Sequence, residues 1–216
     1  MTAIPITAIP ITVGIPPGAA RRALDILGAL AGLVLLIPLL LLVYVLVRLD
    51  SPGRGIFRQV RVGQGGRPFT MLKFRTMRVN ATGSSLTAGR DPRLTRLGAL
   101  LRRTSTDELP QLWNVLRGDM TLIGPRPETP DLAARYRADC QWVFAHRPGL
   151  SGLAQLRLRD FDVLDAGEET DEQAYLDKIV PARLAIEARY LERPTLRATA
   201  RAIAGTFLHI MRVALR

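Results

Sequence analysis

The dominant feature of the hydrophobic pattern is a run from Ala23 to Val47 that is apolar throughout except for Asp25. As a helix it is long enough to cross a hydrocarbon core of about 30 Å. Pro38 falls in its middle; the ring leaves the carbonyl of Val34 without its donor and forces a kink. Arg21 and Arg22 precede the run, and Arg48, Arg54, Arg58 and Arg61 follow it. Two basic flanks both favour the cytoplasmic side, which a helix entering and leaving by one face satisfies. Hydropathy alone still favours a plain kinked span, since such prolines are tolerated in membrane helices.

Beyond this run the pattern changes period. Gly55 to Val62 and Arg67 to Phe74 alternate roughly by two around Gly63-Gln64-Gly65-Gly66, which predicts a hairpin ending in the basic patch of Lys73, Arg75 and Arg78. Leu94, Leu97, Leu100 and Leu101 predict a short helix with arginines on its other side. From Leu109, the spacing of Leu112, Trp113 and Leu116 predicts a second helix with one buried face, and Pro110 places its start between Thr106 and Leu109. Further helices are expected over about 132–144, 171–191 and 195–215. The last carries Leu196, Ala200, Ile203, Phe207 and Met211 on one side and is a basic amphipathic helix, suited to an anionic lipid surface or to the domain's own core. The fold class expected is α+β: a small, mostly helical domain with a short hairpin.

Low-period segments separate these elements. A repeat with proline at Pro5, Pro10 and Pro16 makes 1–20 an extended arm that does not read as a signal peptide. The helix of 21–50 and a domain over 51–216 follow. Small polar residues from Asn80 to Asp91 and acidic ones from Asp160 to Glu172 read as loops, and the latter spacing misses the calcium-loop pattern.

Charge narrows the partners. The chain has 30 basic and 19 acidic residues, and all the basic ones but Lys73 and Lys178 are Arg, whose forks grip phosphate and carboxylate. Aromatic residues, at 6%, are too sparse for a stacking platform, so nucleic acid is not the expected polyanion. Cys140 is the single cysteine and His146 and His209 the only histidines, which excludes disulfide frameworks and multi-histidine or Cys-based metal sites within one chain. Walker A, Gly-x-Ser-x-Gly and His-Glu-x-x-His patterns are also missing. Any chemistry therefore falls to carboxylates and arginines.

Asp107 and Glu108 are the prominent carboxylates. They stand at the mouth of the helix that starts near Leu109, where free N–H groups and the helix dipole favour a carboxylate or a phosphate. Ser105-x-x-Glu108 also fits an ordinary capping box.

Several stretches, in order, resemble the small monotopic phosphoglycosyl transferases, or bacterial sugar transferases, that begin polyprenol-linked glycan assembly. The resemblance runs from Ala23 to Gln155. It takes in the apolar helix with Pro38, Gln59-x-Arg61-x-Gly63, Lys73-Phe74-Arg75-Thr76-Met77 and Asp107-Glu108-Leu109-Pro110-Gln111 through Asn114. Gly118-Asp119-Met120, Gly124-Pro125-Arg126-Pro127 and Arg147-Pro148-Gly149 through Gln155 complete it. The chain departs from the family pattern at Ile37, before the proline, and at Thr199. The resemblance implies transfer of a phosphosugar from a UDP-sugar to polyprenol (undecaprenyl) phosphate with Mg2+, releasing UMP, at the cytoplasmic face of the bacterial inner membrane. It implies Asp107 as nucleophile and Glu108 as metal ligand, with Lys73, Arg75, Arg126, Arg147 and Gln155 expected at the substrates. It also implies a re-entrant membrane helix broken at Pro38, in contact with membrane lipid. A homodimer is admitted and the sugar is left open. The rival expectation is a non-catalytic, membrane-associated basic adaptor binding anionic lipid or nucleic acid.

Overall fold

The computed structural model describes residues 18–78, 91–158, 172–192 and 194–214. The proline-rich arm and the loops expected at 80–91 and 160–172 lie largely or wholly outside them. Helix α1 spans Ala19–Asp50 and stays helical on both sides of Pro38 instead of separating into two helices. It is long and apolar enough to cross a membrane. Every third or fourth residue on one face, Ala29, Leu33, Leu36, Leu40, Val43 and Val47, packs into clusters with the rest of the protein. The opposite face meets no partner among the described residues: Leu27, Leu35, Leu41 and Leu49 are all more than 60% exposed.

Polar contacts hold α1 at both ends. Near its start, Asp25 is wholly buried and accepts from the Thr121 hydroxyl at 2.7 Å and the Leu122 amide at 2.9 Å. Arg22 donates to the carbonyls of Val115 and Leu116, both at 2.7 Å, and Arg21 donates to that of Ile123. At its end, the buried Arg75 donates to the carbonyls of Val47, Ser51 and Pro52. Val47 offers one of the last-turn carbonyls that a helix terminus leaves without intrahelical donors, and Ser51 and Pro52 carry the chain out of the helix. Arg75 therefore closes a helix, and Arg75→Ala is expected to lower stability by about 2–4 kcal/mol, since charged hydrogen bonds are lost and buried carbonyls stranded. Urea denaturation of the two proteins checks it.

The hairpin forms as its alternation predicts: β1 (Ile56–Val62) pairs antiparallel with β2 (Pro68–Phe74), with Val60 opposite Thr70. Helix α2 (Arg96–Arg103) begins at Thr95, whose side chain accepts from the Gly98 amide. Helix α3 (Gln111–Arg117) ends at Gly118, which adopts φ 90°, a conformation that glycine takes without a Cβ clash. Buried Asn114 joins α3 to the hairpin: its Oδ1 accepts from the Leu72 amide and its Nδ2 donates to the Thr70 carbonyl.

The segment expected to be one helix over 132–144 is instead α4 (Pro130–Ala134) followed by 3-10 turns over Ala138–Ala145. Its apolar residues still bury together, because three- and four-residue spacing serves either geometry. Two strands unseen in the sequence, β3 (Thr121–Ile123) and β4 (Gly149–Ser151), pair in parallel. A Cβ on Gly149 would lie 2.1 Å from the Gly124 nitrogen, so the two backbones cross only because that residue is glycine. Helix α5 (Leu153–Leu158) leaves β4.

The later helical segments run as α6 (Glu172–Ala174), a π-helical turn over Tyr175–Ile179, and α7 (Val180–Leu191). Pro181 explains the wide turn, since its ring would strike the carbonyl four residues back in a regular α-helix. Helix α8 (Leu196–Ala214) then packs on β3 and α5. Its buried side is Thr199 and Ala202, while Leu196, Phe207 and Met211 of the sequence stripe point outward. Thr199, one of the two departures from the family pattern, is fully buried with its hydroxyl 2.7 Å from that of Tyr190.

Candidate active site

Asp107 and Glu108 belong to a 3-10 turn, Thr106–Glu108, set between α2 and α3. The expected capping box does not form, for Ser105 is left-handed at φ 56° and makes no side-chain cap. Among the described residues it is the one non-glycine with positive φ, a strained conformation held by its surroundings. Its carbonyl accepts from the Glu108 amide, so the turn folds back and splits the two acids. Asp107 is 4% exposed, whereas Glu108 opens onto a cleft.

Cations from four separate elements surround the pair. Lys73 is the next-to-last residue of β2, Arg61 lies in β1, Arg102 in α2, and Arg126 in the turn after β3. Arg126 forms an ion pair with Glu108 at 3.5 Å. Burial pushes the Asp107 carboxyl up to about 6, with the neighbouring Glu108 charge adding to it; Lys73, Arg102 and Arg126 oppose the rise. Burial also brings Lys73 down to about 8, helped by Arg102 and Arg61. The electrostatics of the acids thus come from these side chains, and the short α3 adds little dipole.

Arg61, Lys73, Glu108, Gln111, Arg126 and Gln155 line the cleft. Arg61 is fixed from behind: it ion-pairs with Glu128 at 3.5 Å and donates to Gln59 at 2.8 Å. Glu128 in turn accepts from the hydroxyls of Tyr136 and Tyr175 at 3.0 and 2.7 Å. That buried set clamps the Gly124-Pro125-Arg126-Pro127 turn against the hairpin, where the Glu128 carbonyl accepts from the Val62 amide.

The Gln155 side of the cleft has its own support. Glu187 on α7 accepts from the Ala154 amide at 3.0 Å, ordering the start of α5, but its Oε2 has no hydrogen-bond partner. Burial raises its pKa to about 7, against the Ala154 amide and the Arg183 charge. The protonated form therefore belongs to the folded protein, and its stabilisation is full below the unfolded value of about 4.5 and lost as pH rises through 7. Glu187→Gln, which keeps an acceptor without the charge, should raise Tm above wild type at pH 8 and leave it unchanged at pH 4.5.

A family model described as bacterial sugar transferase matches residues 17–213. The chain belongs to that family. A UDP-glucose:undecaprenyl-phosphate glucose-1-phosphate transferase of Caulobacter vibrioides is 42% identical over 185 residues, 80% of this chain and 62% of the relative. An exopolysaccharide production protein of Rhizobium leguminosarum is 44% identical over 146 residues, 63% of this chain and 73% of the relative. In Aeromonas hydrophila, a UDP-N-acetylgalactosamine-undecaprenyl-phosphate N-acetylgalactosaminephosphotransferase is 43% identical over 141 residues, 63% of this chain and 33% of the relative. The chain thus spans under two thirds of the Caulobacter relative and a third of the Aeromonas one.

Within this bacterial sugar transferase the structure gathers Lys73, Glu108, Arg126 and Gln155 at one cleft with Asp107 beside it. It places Arg75 at the end of α1 and Arg147 apart from the cleft, beside Gln64, Arg22 and Gly118. Residue-type reasoning missed Arg61, Arg102 and Gln111. Arg61 and Gln111 lie in stretches that carry the family resemblance, which was the available signal; Arg102 sits in an ordinary arginine-rich helix and gave none.

Proposed function

We propose that this chain transfers a sugar phosphate from a UDP-sugar to polyprenol phosphate by way of Asp107. The observation that carries the reading is a shielded carboxylate, Asp107, ringed by Lys73, Arg102 and Arg126, with a more accessible carboxylate, Glu108, next to it. Phosphoryl transfer needs an in-line nucleophile and neutralised charge on the phosphorus oxygens, and this arrangement offers both.

The donor diphosphate would lie among Arg61, Lys73 and Arg126. An Asp107 oxygen attacks the phosphorus that carries the sugar; the bond from that phosphorus to the bridging oxygen breaks, and UMP leaves with the electron pair. The product is an aspartyl phosphosugar. A phosphate oxygen of the polyprenol phosphate then attacks the same phosphorus, and the Asp107 carboxylate departs with its electrons, giving polyprenyl diphosphate sugar. Two substrates of opposite solubility thus use one small site in turn.

Magnesium fits the residues present. Among the described residues no group of three His, Cys, Asp or Glu side chains forms a cage. Mg2+ does not need one, because it is commonly held by one or two carboxylates, waters and substrate phosphates. Glu108 is the carboxylate lining the cleft and would hold it with the donor diphosphate. When bound, the ion would neutralise charge on the leaving phosphate.

The same reading makes the chain monotopic, with both ends of α1 on the cytoplasmic side. Contacts at Arg21, Arg22 and Asp25 and at Val47, Ser51 and Pro52 tie the two ends of the helix to one domain, which supports it. The unpartnered face of α1, the half-exposed Trp113 and the outward Phe207, Leu208 and Met211 of α8 would meet lipid.

The deciding experiment is UMP release by the full chain in vesicles across a panel of UDP-sugars. Turnover that requires polyprenol phosphate and Mg2+ is expected; its absence with every donor overturns the reading. For topology, Ala19→Cys and Arg54→Cys should both react with a membrane-impermeant maleimide applied from the cytoplasmic side. Reaction at one alone would mean that α1 spans the bilayer.

A further inference from the structure

Two side chains with orphaned acceptor oxygens meet beside Gly152. The Oε2 of Glu187, a residue 3% exposed on α7, and the Oε1 of Gln155 on α5 are buried with no hydrogen-bond partner among the described residues. A Cβ on Gly152 would lie 2.5 Å from Glu187 Oε1 and 3.4 Å from Gln155 Oε1, so both side chains reach one point and glycine leaves the room for them. Glu187 Oε1 is already held by the amide of Ala154, the residue before Gln155. Two buried oxygens with no donor between them are costly, and a single proton on Glu187 removes the cost for both.

We infer that Glu187 is a positioning residue: as the carboxylic acid it donates from Oε2 to Gln155 Oε1, which turns the Gln155 NH2 group toward the phosphates of the sugar donor. The inference rests on the transferase reading above. Gln155 lines the cleft together with Arg61, Lys73 and Arg126, so an NH2 group there adds a donor to a cationic cradle. As the carboxylate, Glu187 would repel Oε1. A half-turn of the amide then gives the NH2 group to Glu187 and the oxygen to the cleft, where it opposes phosphate. The groups facing Glu187 permit the acid form. Arg183, one turn earlier on α7, favours the carboxylate, but burial outweighs it. Arg126, Glu128, Tyr136 and His146 border the same space. Glu128 is engaged with Tyr136, Tyr175 and Arg61, while burial and the Arg21 charge push His146 down, toward the neutral imidazole.

The test is the pH dependence of donor KM in the full chain, because the diphosphate of a UDP-sugar keeps both charges across the neutral range. Wild-type KM should rise roughly tenfold as pH climbs through about 7, one hydrogen bond to a charged phosphate being lost. Glu187→Gln, whose NH2 group donates as the acid does, should hold the low value up to about pH 8, where Lys73 begins to lose its charge. Gln155→Ala should show the high value on both sides of 7. A step near 7 that survives in Glu187→Gln, or a wild-type KM that is flat there, overturns the inference while the transferase reading stands. Independently of turnover, the side-chain 15N resonance of Gln155, identified by its loss in Gln155→Ala, should shift with the same midpoint in wild type and stay fixed in Glu187→Gln. A resonance that ignores pH in both overturns the contact. If wild type releases no UMP with any donor, the transferase reading falls, and the amide titration alone decides whether Glu187 holds Gln155.

Discussion

On the mechanism proposed above, Asp107→Asn is expected to lower turnover on the order of 10⁶-fold, as removal of the nucleophile does in covalent enzymes. Asn has nearly the shape of Asp, and the site can accept it: the residue is buried among Lys73, Arg102 and Arg126, and the amide keeps its volume. Lost would be the charge and the electron pair that the proposed mechanism directs at phosphorus. The measurement that isolates this is trapping: wild-type protein given UDP-[32P]sugar without acceptor should retain label through denaturation, and Asp107→Asn should retain none. An Asn variant with normal turnover would mean that the lipid phosphate attacks the donor directly. Label retained by the variant would place the nucleophile elsewhere.

Glu108→Gln should cost less, on the order of 10²- to 10³-fold, the range found when one group stabilising transition-state charge is removed. Its signature differs from that of Asp107→Asn. The variant should still form the labelled adduct, slowly, and should need far more Mg2+ for half-maximal rate, while chelation of divalent ions should silence wild type altogether. Arg126 sits 3.5 Å from Glu108 and is nearly half exposed, so its contribution to the resting pair is small; on the proposed mechanism its value would lie with bound phosphate. A Glu108→Gln enzyme with wild-type Mg2+ dependence would remove Glu108 from the metal.

How far the sequence reveals this site depends on the range of the interactions involved. The hairpin was readable because alternation and the Gly63–Gly66 turn are local signals, and β1 and β2 follow them closely. Helices α2, α7 and α8 were readable for the same reason. The 3-10 turns over Ala138–Ala145 were not, since Tyr136, Cys140, Val143 and Phe144 carry a spacing that an α-helix would show as well. Strands β3 and β4 are three residues each, too short for a period, and their pairing joins Thr121 to Gly149. Spacing with Leu112 and Leu116 puts Trp113 on the buried face of α3, yet it is 52% exposed.

Asp107 and Glu108 stood out locally, but their surroundings did not. Ser-x-x-Glu spells a capping box on paper, and only the left-handed Ser105 reveals that the turn closes differently. The ring of Arg61, Lys73, Arg102 and Arg126 is assembled from β1, β2, α2 and the turn after β3, a convergence that tertiary packing creates. Arg75 shows the converse: a basic residue in a motif, spent on three backbone carbonyls.

Because Asp25, Ala29, Val43 and Val47 are buried by the same residues that make up the domain interior, α1 is structural floor as much as tether. A chain trimmed at Pro52 to obtain a water-soluble enzyme would lay bare Leu112, Val115, Met120 and Phe74 and strand the Thr121 hydroxyl. Such a fragment is expected to aggregate when detergent is withdrawn. Grafting an unrelated transmembrane segment in its place would restore residence at the bilayer and leave the enzyme inert.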